Sequence, residues 1–346
     1  MDLNSFDLFL LFFASFTLTS ALTPLMKFLA LRFGVLDTPI QAHKTHQNPI
    51  PYLGGVAIVI ATVLVSYGAS LVSDFTKTTF QLASTIILPA ILMAIIGLID
   101  DIKHLQPWPR FIAQNLIALV SALILISTDT LGSPTGRIYL DLIITLFWLV
   151  GITNAINFFD NVDGGASGTV AISALALTFL AINNNQYLIA GMSIVLAGST
   201  LGFLVWNKPP ARIYMGDAGA LFLGLLIASL AVRLDTSADP TYLGLVIPIL
   251  LLAVPILDTS VAVSRRIARG LSPFQGGRDH LSHRLMRVGF AKRPAVFFLW
   301  ILSVIFSTAA LAIELVEVVN DGQLILISAF IWIATFLLFF NTRDHD

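Results

Sequence analysis

NAINFFDNVDGGASG, residues 154–168, lies between two apolar runs that are each long enough to cross a bilayer. It packs two amides (Asn154, Asn157), two carboxylates (Asp160, Asp163) and three glycines (Gly164, Gly165, Gly168) into fifteen residues. Polar groups are costly beside membrane helices, so this density points to chemistry rather than to packing. Outward from it, LIDDIKH at 98–104 and IYMGDAGA at 213–220 have the same acidic character at the edges of apolar runs. The whole chain is 57% hydrophobic and 11% charged, against about 25% charged for a soluble domain. The continuous apolar segments predict an all-α, polytopic membrane protein and disfavour a barrel, whose strands alternate. A net charge of −1 suggests no nucleic acid or other polyanion as partner, and the absence of cysteine excludes disulfides and thiolate metal sites.

Eleven spans are expected, near 6–31, 53–73, 80–99, 110–128, 138–157, 167–184, 186–206, 218–234, 241–263, 294–315 and 322–340. MDLNSFDLFLLFF lacks a basic leader, so the first run reads as a span rather than a signal peptide. Of the nineteen Lys and Arg, only Lys77, Arg137 and Arg233 fall on one side of this threading. The positive-inside rule then puts the amino terminus outside and the carboxyl terminus in the cytoplasm. Loops 34–52, 100–109, 158–166, 207–217 and 264–293 all become cytoplasmic, and they hold every stretch that looks chemical. Residues 1–346 read as a single catalytic membrane domain whose site is built from those loops.

Asp100 and Asp101, adjacent at a helix end, repel each other unless a cation lies beside them. With Asp160, Asp163 and Asp217 they make a five-carboxylate set on one face. Hard oxygen donors favour Mg²⁺, or Mn²⁺, over zinc. An EF-hand is excluded because Phe159 and Val162 stand where oxygen ligands would alternate. Magnesium held by few protein ligands implies a phosphorylated substrate.

Gly164, Gly165 and Gly168 open one span and Gly216 and Gly219 another, where helix amino termini suit phosphate oxygens. Close helix packing is the competing use, evenly weighted for Gly168 and Gly219 and less favoured for Gly164 and Gly165. His43, Lys44 and His46 form a cationic cluster that composition alone reads as positive-inside charge. His280 and His283, at i, i+3 among arginines, suit anion binding or positioning better than zinc. Asp258 reads as structural, pairing with Arg265 or Arg266.

Taken together, these stretches resemble the polyprenyl-phosphate N-acetylhexosamine-1-phosphate transferases, of the glycosyltransferase family 4 type. DD at 100–101 is similar to that family's aspartate-rich motif, and NAINFFDNVDGGAS to N-x-x-N-x-x-D-G-x-D-G. NKPPARIYMGDAGALFLG (207–224), HKTH with PIPYLGG, and DHLSHRL resemble three further motifs. The resemblance implies Asp217 as the Mg²⁺ ligand. It implies catalytic roles for Asp100, Asp101, Asp160, Asp163, His280 and His283, with Asp100 and Asp101 beside the metal and the lipid phosphate. It implies substrate contacts from Lys44, His46, Asn154, Asn157, Gly164, Asn207 and Tyr214, the last two at uridine. Five positions depart from the motifs: Asn161 for Gly, Ala220 for Ser, His104 for an acid, His43 for Arg and Ser282 for His.

The reaction so implied passes a sugar-1-phosphate from a UDP-sugar to a polyprenyl phosphate in the bacterial inner membrane and releases UMP. It would be the first membrane step of cell-envelope polysaccharide synthesis. The K-x-H loop, the SPF…HLSHRL loop and eleven spans favour the N-acetylglucosamine branch over the phospho-N-acetylmuramoyl-pentapeptide branch. An ion-coupled transporter is disfavoured because the acids sit at one face with no inverted repeat, and a scaffold predicts that Asp217 is dispensable. Oligomeric state, including a homodimer, is left open.

Overall fold

The structure, a computed structural model, describes residues 4–37, 49–72, 77–132, 134–236, 243–273, 277–316 and 321–342. Among them the helices are α1 (Ser5–Phe33), α2 (Gly54–Val72), α3 (Lys77–Lys103), α4 (Pro107–Ser127), α5 (Ile138–Phe159), α6 (Gly165–Asn183) and α7 (Tyr187–Asn207). They continue with α8 (Gly216–Val232), α9 (Leu243–Leu251), α10 (Ala253–Ala268), α11 (Leu281–Arg287), α12 (Lys292–Leu315) and α13 (Asp321–Asn341). A two-residue antiparallel pair, β1 (Leu36–Asp37) and β2 (Ile50–Pro51), joins Leu36 to Pro51 and Asp37 to Ile50.

The all-α, polytopic expectation holds. Among the described residues nine helices are long and apolar enough to cross a membrane, or ten if a bent pair is one span. Each of the eleven expected segments is helical, but two differ from a plain span. The segment at 218–234 is the 17-residue α8, about 25 Å long at 1.5 Å per residue, against about 30 Å of hydrocarbon. The segment at 241–263 is broken at Leu252, where α9 and α10 bend by 71°. Pro255, in the first turn of α10, has no N–H to return to Leu251, whose carbonyl accepts instead from the Ser173 hydroxyl at 2.6 Å.

α8 is apolar all round and buried along almost its whole length, as a central helix must be. α2, α3 and α5 pack against it, and glycine permits each approach. A Cβ on Gly55 would lie 2.2 Å from Cα of Gly219, one on Gly97 2.3 Å from the Asp217 carbonyl oxygen, and one on Gly224 2.6 Å from Cα of Thr153. Gly198 and Gly202, four apart on α7, seat the α1 carbonyls of Phe12 and Phe16 in the same way. The outer faces carry rows of large apolar side chains, such as Ile112, Leu116, Val120 and Leu123 on α4. Such rows suit lipid tails, which compete for no hydrogen bond.

One end of the bundle gathers the carboxyl ends of α3, α5 and α7 with the amino ends of α4, α6, α8 and α12. The β-pair closes onto it, since Pro51 accepts from the N–H of Tyr214 at 2.8 Å. The N–H groups of Gly54 and Gly55 return to the carbonyls of Tyr214 and Met215 at 3.0 and 2.8 Å.

Candidate active site

The gathered end is organised on the amino terminus of α8. Gly216 adopts φ +74°, the left-handed region that a side chain disfavours, and this turn aims the first N–H groups of α8 at α3. Asp101 receives them, Oδ1 from Asp217 at 2.8 Å and Oδ2 from Ala218 at 3.0 Å. Both oxygens of Asp101 are thus spent on capping α8 in this arrangement. Asp100 points the other way, accepting from the Leu105 N–H at 2.7 Å and pairing through Oδ2 with Arg110. The same Nη1 of Arg110 lies 2.7 Å from Oδ2 of Asp217, and Asn157 donates to Oδ1 of Asp217 at 2.7 Å. The cation that two neighbouring carboxylates require is therefore Arg110, a residue absent from the sequence-derived site. Its signal was local, because only three residues separate α3 from α4 and the prolines at 107 and 109 start the second helix at once.

The turn between α5 and α6, residues 160–164, is fastened from two sides. Asn207, buried at the end of α7, accepts from the Gly164 N–H at 2.9 Å and the Ser167 hydroxyl at 3.2 Å, and donates to the Ile213 carbonyl at 3.0 Å. Asp163 accepts from the Ala211 N–H at 2.9 Å and pairs with Lys292 of α12 at 3.1 Å. Trp300 donates to the Gly164 carbonyl at 3.2 Å, and its ring fills the space that Gly168 leaves. Asp160 keeps part of its surface open beside this loop. Desolvation raises its pKa well above the usual carboxylate range, and the charges of Asp217, Asp101 and Asp163 add to the rise. So Asp100, Asp101 and Asp217 meet directly, Asp160 faces them, and Asp163 is drawn aside by Lys292.

Among the glycines weighed for phosphate, the N–H of Gly164 is taken by Asn207 and that of Gly165 by the Val162 carbonyl at 3.0 Å. Gly168 and Gly219 serve close packing, on Trp300 and on Gly55. Asn207→Ala strands a backbone N–H, a hydroxyl and a carbonyl in a buried place. It should cost about 2–4 kcal/mol, read as a lower thermal unfolding midpoint of the purified protein.

Tyr214 lies with its ring 6.4 Å from that of Tyr52. Burial raises the pKa of both hydroxyls, with Asp163 and Asp37 adding for Tyr214; for Tyr52, Asp37 adds through its charge and a hydrogen bond. Asp37, buried at the end of β1, is a further carboxylate on this side that sequence reasoning passed over. Asn154 donates to the Val150 carbonyl within its own helix at 2.9 Å. Lys44 and His46 lie outside the described residues.

The last loop corrects one expectation. Asp258 pairs with neither Arg265 nor Arg266; it accepts from Nδ1 of His280 at 2.7 Å and from the Leu281 N–H at 2.7 Å. The physical reason is that α11 begins beside it and brings a free N–H and an imidazole, a better pair of donors than a side chain two turns along α10. Arg266 instead contacts Asp279 at 3.4 Å and Nε2 of His280 at 3.1 Å. Arginine only donates, so Nε2 accepts and Nδ1 carries the proton given to Asp258. The ring of His283 is 6.4 Å from that of His280. Burial holds its pKa down at about 4, so it is neutral near pH 7. Two of the five departures from the resembled motifs touch each other, because the Ser282 hydroxyl donates to Oδ1 of Asn161. That bond ties α11 to the turn between α5 and α6.

Among the described residues no group of three or more His, Asp or Glu side chains is arranged to hold a metal ion. The donors present fit a hard cation that takes one or two carboxylates and completes its shell with water and phosphate. Asp100 and Asp217 already converge on one cationic nitrogen, so these are the two carboxylates that would hold such an ion.

Residues 83–235 match the family described as glycosyl transferase family 4. Over 333 residues the chain is 32% identical to a probable undecaprenyl-phosphate N-acetylglucosaminyl 1-phosphate transferase of Bacillus subtilis, covering 95% of this chain and 87% of that protein. It is 33% identical over 319 residues to a decaprenyl-phosphate N-acetylglucosaminephosphotransferase of Mycolicibacterium smegmatis, covering 82% and 77%. Similarity extends to a phospho-N-acetylmuramoyl-pentapeptide-transferase of Geobacillus kaustophilus, 30% identical over 321 residues and covering 87% and 95%.

Proposed function

The chain belongs to glycosyl transferase family 4, as a membrane phosphotransferase, and from that premise we propose that it moves N-acetylglucosamine-1-phosphate from UDP-N-acetylglucosamine to undecaprenyl phosphate. UMP is the second product, Mg²⁺ the required ion, and the site faces the cytoplasm from the bacterial inner membrane. The observation that carries this reading is the convergence of Asp100 and Asp217 on Arg110 in front of α8, with Asn157 holding the other oxygen of Asp217.

Two anions must meet for the reaction. An oxygen of the lipid phosphate attacks the sugar-linked phosphorus in line, and the bond to the UMP phosphate breaks with its electron pair going to UMP. The second pKa of a phosphomonoester is about 6, so the attacker is already mostly dianionic near neutrality and needs no base. Asp100 and Asp101 then serve geometry: Asp101 holds the α8 terminus, and Asp100 holds the start of α4 through Leu105 and Arg110. Asp217, with Asp100 beside it, would hold the Mg²⁺ ion, which would supply positive charge to the diphosphate when bound.

The test is purified protein with undecaprenyl phosphate, Mg²⁺ and separate UDP-N-acetylglucosamine, UDP-N-acetylgalactosamine and UDP-N-acetylmuramoyl-pentapeptide. UMP should appear only when lipid, ion and UDP-N-acetylglucosamine are all present. UMP with the pentapeptide donor would move the chain to the branch of the Geobacillus relative. No UMP with any donor would end the reading.

A further inference from the structure

Resting on that reading, we propose that Arg110 is an internal counter-ion: it occupies the cation position between Asp100 and Asp217 in the unloaded enzyme, and a divalent ion displaces it onto the substrate's phosphates. The reason lies in which bonds can be exchanged. Asp101 has both oxygens on backbone N–H groups of α8. Asp100 has one oxygen on a backbone N–H, and Asp217 has one on Asn157. Only the two oxygens facing Arg110 are held by a single long side chain, and one nitrogen, Nη1, serves both. Rotation about that side chain frees both oxygens together without disturbing a helix cap.

Coexistence is unfavourable. A divalent ion about 2.1 Å from Oδ2 of Asp217 would face a guanidinium nitrogen 2.7 Å from the same oxygen. Like charges so close repel strongly even when partly screened. Arg110 therefore leaves as the ion enters, yet it stays tethered at the first turn of α4, beside the acids. A planar guanidinium released there meets the diphosphate with paired N–H donors, the geometry it binds best. The exchange keeps the acidic cluster neutralised when empty and delivers a second cation when loaded.

The experiment is Mn²⁺ binding followed by electron paramagnetic resonance on the full-length purified protein without substrate. Arg110→Gln should bind Mn²⁺ about tenfold more tightly than wild type, a gain of about 1.4 kcal/mol. Arg110→Lys, whose ammonium ends one bond short of the position of Nη1 and so holds the two carboxylates less closely, should fall between them. With Mn²⁺ saturating, Arg110→Gln should bind inorganic pyrophosphate about tenfold more weakly than wild type, since its guanidinium is missing. Equal or weaker Mn²⁺ binding by both variants overturns the exchange, and unchanged pyrophosphate binding overturns the delivery to phosphate. If Arg110→Gln does not fold, the order of Arg110→Lys against wild type decides the matter. Wild type that transfers sugar phosphate with Mg²⁺ while all three proteins bind Mn²⁺ alike would sink this proposal alone. Wild type with neither transfer nor Mn²⁺ binding would sink the metal-dependent reading beneath it.

Discussion

Asp217→Asn should lower UMP release by about a thousandfold while the helical bundle stays folded. The side chain keeps its size, and Asn157 keeps an oxygen to donate to. What goes is the charge opposite Arg110, together with the oxygen that faces it 2.7 Å away. An amide NH₂ placed there meets a guanidinium donor for donor, and the cation position keeps only Asp100. The fold is insulated because the turn into α8 depends on the backbone N–H of Asp217, capped by Asp101, and not on its side chain. Transfer assays and thermal unfolding on the same preparation read the two effects apart. Near-wild-type turnover would remove Asp217 from the reaction.

Gly97→Ala, a change at a residue with no chemistry of its own, should cost about a hundredfold in activity and roughly 1–3 kcal/mol in stability. A methyl group there lies 2.3 Å from the Asp217 carbonyl oxygen, 2.4 Å from its carbon and 2.5 Å from the Ala218 nitrogen. All three are backbone atoms that cannot rotate away, so α3 and α8 must part. Parting them pulls Asp101, one turn beyond Gly97, off the N–H groups it caps. The matched control is Gly151→Ala on α5, where a Cβ would meet nothing within 4 Å. That variant should keep full activity and gain slightly in helix stability. Gly97→Ala with normal turnover would show that the α3–α8 spacing does not set the site.

Much of the architecture was legible because hydrocarbon imposes a length and an apolar composition on every helix that crosses it. The broken ninth segment was not: its apolar run is continuous, and its only marks are Pro248 and Pro255. Proline alone does not mark a break, since α1 and α3 continue through Pro24 and Pro89. Of the acids, Asp163 and Asp258 had readable positions but unreadable partners. Lys292 is 129 residues from Asp163 and His280 is 22 from Asp258. No periodicity relates such pairs. Asn161 and Ser282 looked like two separate departures from resembled motifs, and only their contact makes them one feature.

From residue order alone came the helical membrane class, the segments that become helices, and the acids and amides that crowd their ends. Each of these depends on local composition or on neighbours a few positions apart, which one strand of letters records. Tertiary structure decided which of those groups face one another: Asp101 turned to the α8 backbone, Asp163 to Lys292, and Arg110 between Asp100 and Asp217. The cause is helix packing through Gly55, Gly97 and Gly224, which sets how close the backbones come. Proximity on that scale selects the counter-charge for each acid, and counter-charges from distant helices are invisible until the helices are packed.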